Sequence, residues 1–332
     1  MSAVATGVGL AVPGAPAVTD LTTHTAEGAT PVDPAARIGK KGLRYLDQAT
    51  RLALCAARDA LNAAGLMTGD ARLAVTGGGA QAVAAELLVP PESVAVVVSS
   101  NFGNLDSVCE VATAVAADGG TRLLSPVYAP RLSSNVTASE VAIRFGLRGP
   151  NLMVCNGPTA GLDAVHWATV LLSADRARHV LVVGVEPAND VVRRLTGHEN
   201  PLDGAAALVL ESPAAAAERD APVLAGLDGY VRTGGLADCL SVLGGVPRAW
   251  LASRHAPADV LPGVPRHDLE DRWGPASGAL GVLQCVAAVG HFAVGGRGPV
   301  YAVAGTDTDD AVAGLVLTAP GGVVAGSGVG CA

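Results

Sequence analysis

The sequence predicts an α/β fold in which helices cover both faces of a layered sheet. Short apolar runs alternate with segments of helical spacing along its 332 residues, which is typical of successive βα units. Half of the residues are apolar but only 3 % are aromatic, so Ala, Val and Leu must fill a large core. Runs such as 93–99 and 179–185 are apolar at nearly every position, as strands covered on both faces are.

In the first half of the chain, each element is predicted from its own pattern. The segment 42–66 has Leu and Ala at helical spacing and ends near Gly65, so it predicts a long helix. Segment 13–36 is rich in Pro, Gly and Thr and predicts a loop. The predicted strands are 4–12, 93–99, 152–155, 179–185 and 205–211, and the other predicted helices are 105–117, 133–145 and 159–174.

A Pro- and Ala-rich stretch at 212–222 is the best candidate for a boundary within the chain. It predicts an N-terminal half at 1–212 and a less regular C-terminal half at 223–332. The second half predicts a strand from 223, a small-residue helix at 274–289, strands at 300–304 and 313–318, and a loose tail at 321–332. The halves could be distant duplicates, but the sequence alone does not show it.

Composition excludes several classes of function. The net charge is −8 and there is no basic block, which argues against a nucleic-acid or membrane-surface protein. Six scattered cysteines include no CxxC pair and no Cys/His cluster, so we predict no metal, no cofactor and no disulfides. The first residues lack the positive region of a signal peptide, and the apolar runs are too short to span a bilayer, so we predict a cytoplasmic protein.

Several segments resemble the ketoacyl synthases of fatty acid and polyketide assembly. That resemblance implies the thiolase-like αβαβα fold with two similar halves, the second one shortened here. The matching segments are VATGVGLAVPG (4–14), the long helix and its approach (33–61), GGTRLLSPVYAPRLSSNVTASEVAIRFGLRGPN (119–151) and DGAAALVLE (203–211).

The catalytic parts of that family are missing from the positions where the resemblance places them. Its catalytic cysteine, at the start of a helix where free N–H groups favour a thiolate, corresponds to Pro158. Of its two histidines, one corresponds to Pro275, and the other has Ser253 or His255 as its rough counterpart. Glu270 or a neighbour stands where a lysine is usual, and the segment 302–317 replaces a Gly-rich loop.

A subunit without the cysteine exists in type II polyketide systems, the chain length factor, which pairs with an active ketosynthase. The segment AGLDAV (160–165) is similar to the stretch that follows the missing cysteine in those subunits. They usually carry glutamine at the position of Pro158, and proline cannot supply its amide. The resemblance therefore implies a non-catalytic subunit that helps its partner extend a chain on an acyl carrier protein and limits its length.

The same resemblance assigns an interface and a tunnel wall. The strand at Leu152, Met153, Val154 and Cys155 would pair with its counterpart in the partner, unless it is buried within a monomer. The wall of the partner's tunnel would be formed by Phe102, Val108, Cys109, Ala112, Leu132 and Ser133, although each of these could be ordinary core. Cys155 itself is expected to be a buried packing residue.

Two other functions remain open at this point. The chain could be an acyltransferase or thioesterase with a displaced nucleophile, such as Cys155, Thr159 or Ser253. It could also be a stand-alone module that binds an acyl carrier protein. The arginine pairs Arg144/Arg148 and Arg193/Arg194 could form a patch for an acidic carrier, or could simply be solvated side chains.

Overall fold

In the computed structural model, residues 3–68, 86–120, 122, 126–257 and 259–321 are described. Their strands are β1 (Ala3–Ala11), β2 (Met67–Thr68), β3 (Glu86–Leu87), β4 (Val94–Ser99), β5 (Asn151–Val154), β6 (His179–Glu186), β7 (Gly204–Glu211), β8 (Ala225–Thr233), β9 (Ala249–Ala252), β10 (Arg266–Asp268), β11 (Val300–Ala304) and β12 (Val312–Thr318). Their helices are α1 (Pro34–Ile38), α2 (Gln48–Ala63), α3 (Leu105–Asp118), α4 (Val136–Phe145), α5 (Ala160–Ser173), α6 (Asp190–Thr196), α7 (Pro213–Glu218), α8 (Leu236–Leu243), α9 (Leu269–Trp273) and α10 (Leu280–Ala293). Short 3-10 turns lie at Val18–Thr22, Leu43–Tyr45, Pro91–Ser93, Pro126–Leu132 and Ser277–Ala279.

The two halves of the chain have the same strand topology. Ten strands form one sheet in the order β10-β9-β11-β12-β8-β1-β7-β6-β4-β5. Each half contributes five strands to this sheet, in chain order β1, β4, β5, β6, β7 and β8, β9, β10, β11, β12. In both halves the third of these five lies at the outer edge, followed by the second, fourth, fifth and first, and the fifth is antiparallel to both of its neighbours. The halves join where β1 pairs with β8 in antiparallel register. The prediction of two similar halves in a layered α/β fold is therefore confirmed.

The central helices α5 and α10 form the layer between the two half-sheets. The largest core cluster joins residues of both half-sheets to these helices, among them Val182, Leu251, Leu162 and Val282. The outer layers are α2 and α4 on the first half-sheet and α8 on the second, each with its own apolar cluster. This arrangement is the αβαβα order expected from the resemblance.

Two glycines allow the central helices to touch at their backbones. A Cβ atom on Gly161 would lie 2.6 Å from the backbone N of Gly281, and one on Gly281 would lie 2.3 Å from the backbone N of Leu162. Any larger residue at either position would push α5 and α10 apart. The close contact fixes the start of α5 against the second half of the molecule.

Several predicted boundaries move for local reasons. The predicted helix 42–66 begins only at Gln48, because the Asp47 carboxylate caps it by accepting the Thr50 N–H at 2.7 Å. The predicted loop 13–36 includes the start of α1, which Asp33 caps and Pro34 begins. The predicted helix 274–289 starts later, at Leu280, and ends at Ala293. Strand β8 begins at 225, and most of the predicted loose tail, 322–332, lies outside the described residues.

The boundary predicted at 212–222 contains helix α7, and the main sheet continues across it through β7, β1 and β8. A division into 1–212 and 223–332 stays a prediction about how the chain is organised. No described helix reaches the length and apolarity that a membrane span requires.

Candidate functional site

The turn between β5 and α5 keeps the form of a strand–turn–helix junction, although its tip is a proline. Gly157 has φ +87°, a left-handed conformation that glycine adopts without strain, and Ala160 donates its N–H to the Gly157 carbonyl at 3.1 Å. Pro158 is not among the residues with positive φ, as expected for a relaxed turn. The helix begins at Ala160 with Thr159 as N-cap, one residue later than predicted, so Pro158 lies just before the helix.

A buried carboxylate on α5 holds this turn from one side. Asp163 accepts hydrogen bonds from Asn156 Nδ2 at 2.6 Å and from Thr159 Oγ1 at 2.8 Å. Across the fold, its other oxygen accepts a short bond from the Tyr230 hydroxyl, and Arg232 lies 3.6 Å away. Burial and the Asp163 carboxylate raise the pKa of Tyr230, so the phenol remains a donor. The aspartate of AGLDAV therefore joins the turn to strand β8 of the second half.

A second carboxylate, Glu186 at the end of β6, organises the other side of the site. Its oxygens accept hydrogen bonds from Ser100 Oγ and from the backbone N–H groups of Asn101, Phe102 and Gly278, at 2.6 to 3.0 Å. Burial raises the pKa of Glu186 to about 7, against the effect of these four donors. Glu186 thus draws together the loop after β4 and the turn before α10.

Asn101 connects the hydrogen bonds of Glu186 to the turn at Gly157. Its side-chain Nδ2 donates to the Gly157 carbonyl at 2.9 Å and to Ser277 Oγ at 2.8 Å, while its Oδ1 accepts the Gly157 N–H at 3.2 Å. A single amide side chain therefore satisfies both backbone groups of Gly157. Sequence reasoning missed both Asn101 and Glu186; the one signal was an acidic residue ending an apolar strand.

The positions that the resemblance assigns to lost catalytic groups meet in one cavity of about 220 Å³. Its walls are mostly apolar, from Phe102 near the turn to Leu280 on α10. The residues predicted as counterparts of the family's catalytic parts that line it are Pro158, Ser253, His255, Glu270, Pro275, Gly305, Thr306 and Asp309.

Ser253, the cavity residue considered as a displaced nucleophile, is not set up as an activated one. Ser253 is buried, and its Oγ donates to the Val303 carbonyl at 3.2 Å. His255 is exposed. Glu270 accepts the N–H groups of Arg254 and Ala276, and burial raises its pKa. A nucleophile would need a base within hydrogen-bond reach, and Ser253 has a carbonyl acceptor instead.

Arg266 on β10 holds the loop that contains Ser253 and His255. The guanidinium of Arg266 donates to the Ala256 carbonyl at 2.6 Å and to the Ser253 carbonyl at 3.2 Å. It also lies over the Trp250 ring, 5.2 Å from the centroid. The loop is therefore fixed although it is short and irregular.

The predicted tunnel residues are not enclosed within the isolated chain. Phe102 lines the cavity, but Val108 and Ala112 on α3 and Leu132 beyond it are exposed, with Val108 at 37 % and Leu132 at 39 %. Cys109 is half-buried on the same helix, and Ser133 is exposed next to Leu132. Val108, Ala112 and Leu132 are therefore exposed apolar residues, and the place of the whole set in a tunnel wall stays a prediction that needs a second chain.

Strand β5 is the outermost strand of the sheet and pairs only with β4 among the described strands. Leu152, Met153 and Val154 are half-buried, and Cys155 is exposed. The expectation that Cys155 is a buried packing residue is wrong for the isolated chain, because the strand ends at Val154 and leaves Cys155 at the surface. The strand is also not enclosed by the monomer, which was the alternative to a role in an interface.

The candidate arginine patches are partly occupied by contacts within the chain. Arg144 donates to the Ile38 carbonyl at 2.9 Å, and Arg148 lies 3.7 Å from Glu92. Arg193 pairs with Asp190 at 2.9 Å. In the described parts of the chain, no group of three or more His, Cys, Asp or Glu residues is placed to hold a metal ion.

Comparisons with known proteins agree with this fold. The family model for the β-ketoacyl synthase N-terminal domain matches residues 15–240. A granaticin polyketide putative β-ketoacyl synthase 1 from Streptomyces violaceoruber is 30 % identical over 219 residues, which cover 57 % of this chain and 48 % of that protein. A 3-oxoacyl-(acyl-carrier-protein) synthase 2 from Vibrio harveyi is 30 % identical over 96 residues, which cover 29 % of this chain and 23 % of that protein. The chain thus spans about half, or less, of the length of these curated relatives.

Solved structures resemble this chain over nearly its whole length. The ishigamide ketosynthase/chain length factor has a TM-score of 0.75 at 21 % identity, covering 96 % of this chain and 99 % of that one. A type II polyketide synthase acyl carrier protein in complex with its ketosynthase bound to the hexaketide (AntDE:AntF) has a TM-score of 0.70 at 16 % identity, covering 96 % and 99 %. At these identities the likeness shows the fold.

Proposed function

Because the chain belongs to the β-ketoacyl synthase family, whose N-terminal domain it matches over residues 15–240, we propose that it is a non-catalytic chain length factor. In this role it pairs with a cysteine-bearing ketosynthase, and the pair extends a polyketide or polyene chain carried on an acyl carrier protein. This chain shapes the tunnel for the growing chain and limits its length.

The observation that carries the proposal is the chemistry of the cavity under the turn. Pro158 and Pro275 stand where the family resemblance expects a thiolate nucleophile and a histidine, and both line this cavity. Decarboxylative condensation needs a nucleophile to hold the acyl group and donors for the oxyanion. Neither proline can donate a hydrogen bond or attack a thioester, so the chemistry is assigned to a partner.

Open apolar surface supports the need for a partner. Val108 and Ala112 on α3 are exposed in the isolated chain, and β5 is an edge strand of the sheet. An exposed apolar helix surface and an unpaired strand edge are both typical of faces that another protein covers. The similarity to an ishigamide ketosynthase/chain length factor also favours this assignment.

An enzyme with a displaced nucleophile has less support. The Thr159 hydroxyl is buried and committed to Asp163, and Ser253 is buried against a carbonyl. Cys155 is accessible, but it lies on the hollow beside the edge strand and does not line the cavity. Mass spectrometry after incubation with an acyl thioester distinguishes the two functions: an acyl adduct on Cys155, Thr159 or Ser253 would favour the enzyme.

Co-expression tests the proposed function directly. The chain is produced together with a cysteine-bearing ketosynthase from the same biosynthetic system, with a tag on one protein only. We expect both proteins to co-purify in equal amounts through size-exclusion chromatography, since obligate interfaces of this kind are large and apolar. A stable monomer that ignores the ketosynthase would contradict the proposal, and retention of an acyl carrier protein alone would favour a stand-alone binding module.

A further inference from the structure

Three spaces surround the turn at Pro158. The cavity of about 220 Å³ adjoins a wider groove of about 970 Å³ that is open to solvent, and the two share five wall residues: His198, Pro201, Arg254, Glu270 and Pro275. On the opposite side, a hollow of about 540 Å³ lies at the end of β5 beside Cys155. The cavity and this hollow share Pro158 and Asp309, so these two residues border both spaces.

Pro158 cannot move out of this position easily. Its ring confines φ near −65°. On one side, Asn101 holds both backbone groups of Gly157. On the other side, Asp163 holds the side chains of Asn156 and Thr159. Both neighbours of Pro158 are therefore fixed by buried or half-buried hydrogen bonds.

Asp309 is fixed within its own loop. Its carboxylate accepts the Thr306 N–H and the Thr306 hydroxyl, both at 2.8 Å, and its N–H donates to the Thr306 carbonyl at 3.0 Å. Two residues earlier, Asp307 accepts the Leu236 N–H at 2.7 Å. This bond ties the loop to the start of α8. The Asp309 side chain is therefore held in its place in the cavity wall by bonds within its loop.

The cavity itself suits an uncharged apolar ligand. Its walls include the apolar side chains of Phe102, Val192 and Leu280. Three carboxyl groups line it: Glu186 and Glu270 already accept backbone N–H groups on both of their oxygens, and Asp309 accepts the Thr306 N–H and hydroxyl. An anionic ligand would face these carboxyl groups, whereas an alkyl chain gains from burial against the apolar walls.

We propose that Pro158 and Asp309 form a fixed partition, which makes the cavity a blind pocket for a short, uncharged alkyl chain entering from the groove. A longer chain cannot pass from the cavity into the hollow beside β5. The consequence for assembly rests on the proposed function. In the pair, the partition keeps the chain that grows in the partner's tunnel out of this subunit's own former site.

The test is a chain-length series of ligand affinities. N-acetylcysteamine thioesters with acyl chains from hexanoyl to tetradecanoyl are titrated into the full-length chain by isothermal calorimetry. Each methylene that enters the cavity should raise the affinity by a factor of about four, until the chain reaches the partition and the gain stops. In Pro158→Gly the gain should continue to longer chains, because the cavity then opens into the hollow.

Pro201→Gly is the matched control. It removes the same ring from the cavity wall on the groove side, where the chain already enters, so the length at which the gain stops should not change. Asp309→Ala opens the partition from the other side and serves if Pro158→Gly does not fold, with folding checked by thermal unfolding.

Three results would overturn the partition: affinity that rises through the whole series in the unmodified chain, no binding at any length, or an unchanged limit in folded partition variants. The titration needs neither a partner nor a product assay. Its failure therefore leaves the co-purification result standing, and failed co-purification leaves the titration interpretable.

Discussion

Pro158 sits on a turn whose shape is determined by residues other than itself. Asp163 and Asn101 hold the residues on either side of it through buried or half-buried hydrogen bonds. Leaving one such buried partner unsatisfied costs about 1–3 kcal/mol, so the two networks together outweigh the preference of any single residue at the tip. The junction can therefore keep the strand–turn–helix form of an active ketosynthase while its tip carries no nucleophile.

A different buried carboxylate, Glu211 at the end of β7, makes the stability of the folded protein depend on pH. Glu211 accepts hydrogen bonds from Thr6 and Arg219, and His179 lies 3.1 Å from it. These partners hold its pKa at about 2 in the folded protein, although burial alone would raise it. Because the folded pKa is depressed, Glu211 contributes its stability above the unfolded pKa near 4.5, and the contribution is lost as the pH falls toward 2.

We therefore predict that Glu211→Gln lowers the free energy of unfolding by about 3 kcal/mol at pH 7 and by progressively less below pH 4.5. Urea unfolding of both proteins across this pH range measures the difference. Glu92→Gln is the control, since Glu92 lies in an exposed pair with Arg148 and should change stability by less than about 1 kcal/mol. A Glu211 difference that does not shrink in acid would show that the effect is one of packing and not of charge.

At the scale of elements, continuous apolar runs and long helical periods were predictable, whereas most short segments were not. The strand at 300–304 was predicted with the bounds of β11, and the predicted helix 105–117 differs from α3 by one residue. Strands β9 and β10, of four and three residues, were missed, because so few residues show no period before the sheet pairs them. Helix α8 has only eight residues and was also missed. The strand before it shows no clear alternation of buried and exposed residues, so its end was not visible in the sequence.

The residues of the site also divide into those marked by a local sequence pattern and those that are not. Pro158, Ser253 and Pro275 were assigned from local motifs, and all three line one cavity. Glu186 and Asn101 were not found, because their partners lie 56 to 176 residues away in the chain. Asp163 was marked by its motif, but its contact with Tyr230 depends on how the halves pack. Long-range hydrogen bonds of this kind exist only once the fold is formed.

Helix α3 carries the prediction on chain length. Ala112 and Val108 are exposed on it, one turn apart, so a large side chain there would project into a partner's tunnel if α3 forms its wall. Ala112→Trp or Val108→Trp should shorten the product of the reconstituted pair, which mass spectrometry of released chains would measure.

Glu110→Trp is the matched control for these variants. Glu110 is exposed on the same helix but points to a different side, so its replacement should leave the product length unchanged. An unchanged product with Trp at Ala112 and at Val108, in variants that still form the pair, would remove both residues from the wall.

At the scale of the whole molecule, the two halves present equivalent strands at opposite ends of one sheet, but with different chemistry. The outermost strand of the second half, β10, reads Arg266-His267-Asp268, and charged edge residues oppose pairing with another chain. Its equivalent in the first half, β5, reads Asn151-Leu152-Met153-Val154 and carries no charge. The pseudo-symmetric fold therefore has one protected edge and one edge that favours strand addition.

The hydrogen-bond directions along β5 allow this edge to be tested without breaking the fold. The carbonyls of Pro150 and Val154 accept N–H groups of Val96 and Ser100 on the β4 side. Since successive residues of a strand face opposite sides, Leu152 also bonds toward β4, and the N–H of Met153 points to the open edge. A proline at 153 removes only this outward donor.

We predict that Met153→Pro leaves the chain folded but abolishes co-purification with the ketosynthase, because a continuous sheet across the interface requires that donor. Met153→Ala keeps the backbone N–H and should co-purify. Leu152→Pro interrupts the bond to β4 and should lower the stability of the chain itself by about 1–3 kcal/mol, because a ladder acceptor is left unsatisfied. Thermal unfolding of each variant, measured beside the pull-down, separates lost pairing from lost folding. Normal complex formation by folded Met153→Pro would mean that the partner covers this face through side chains, without strand pairing across the edge.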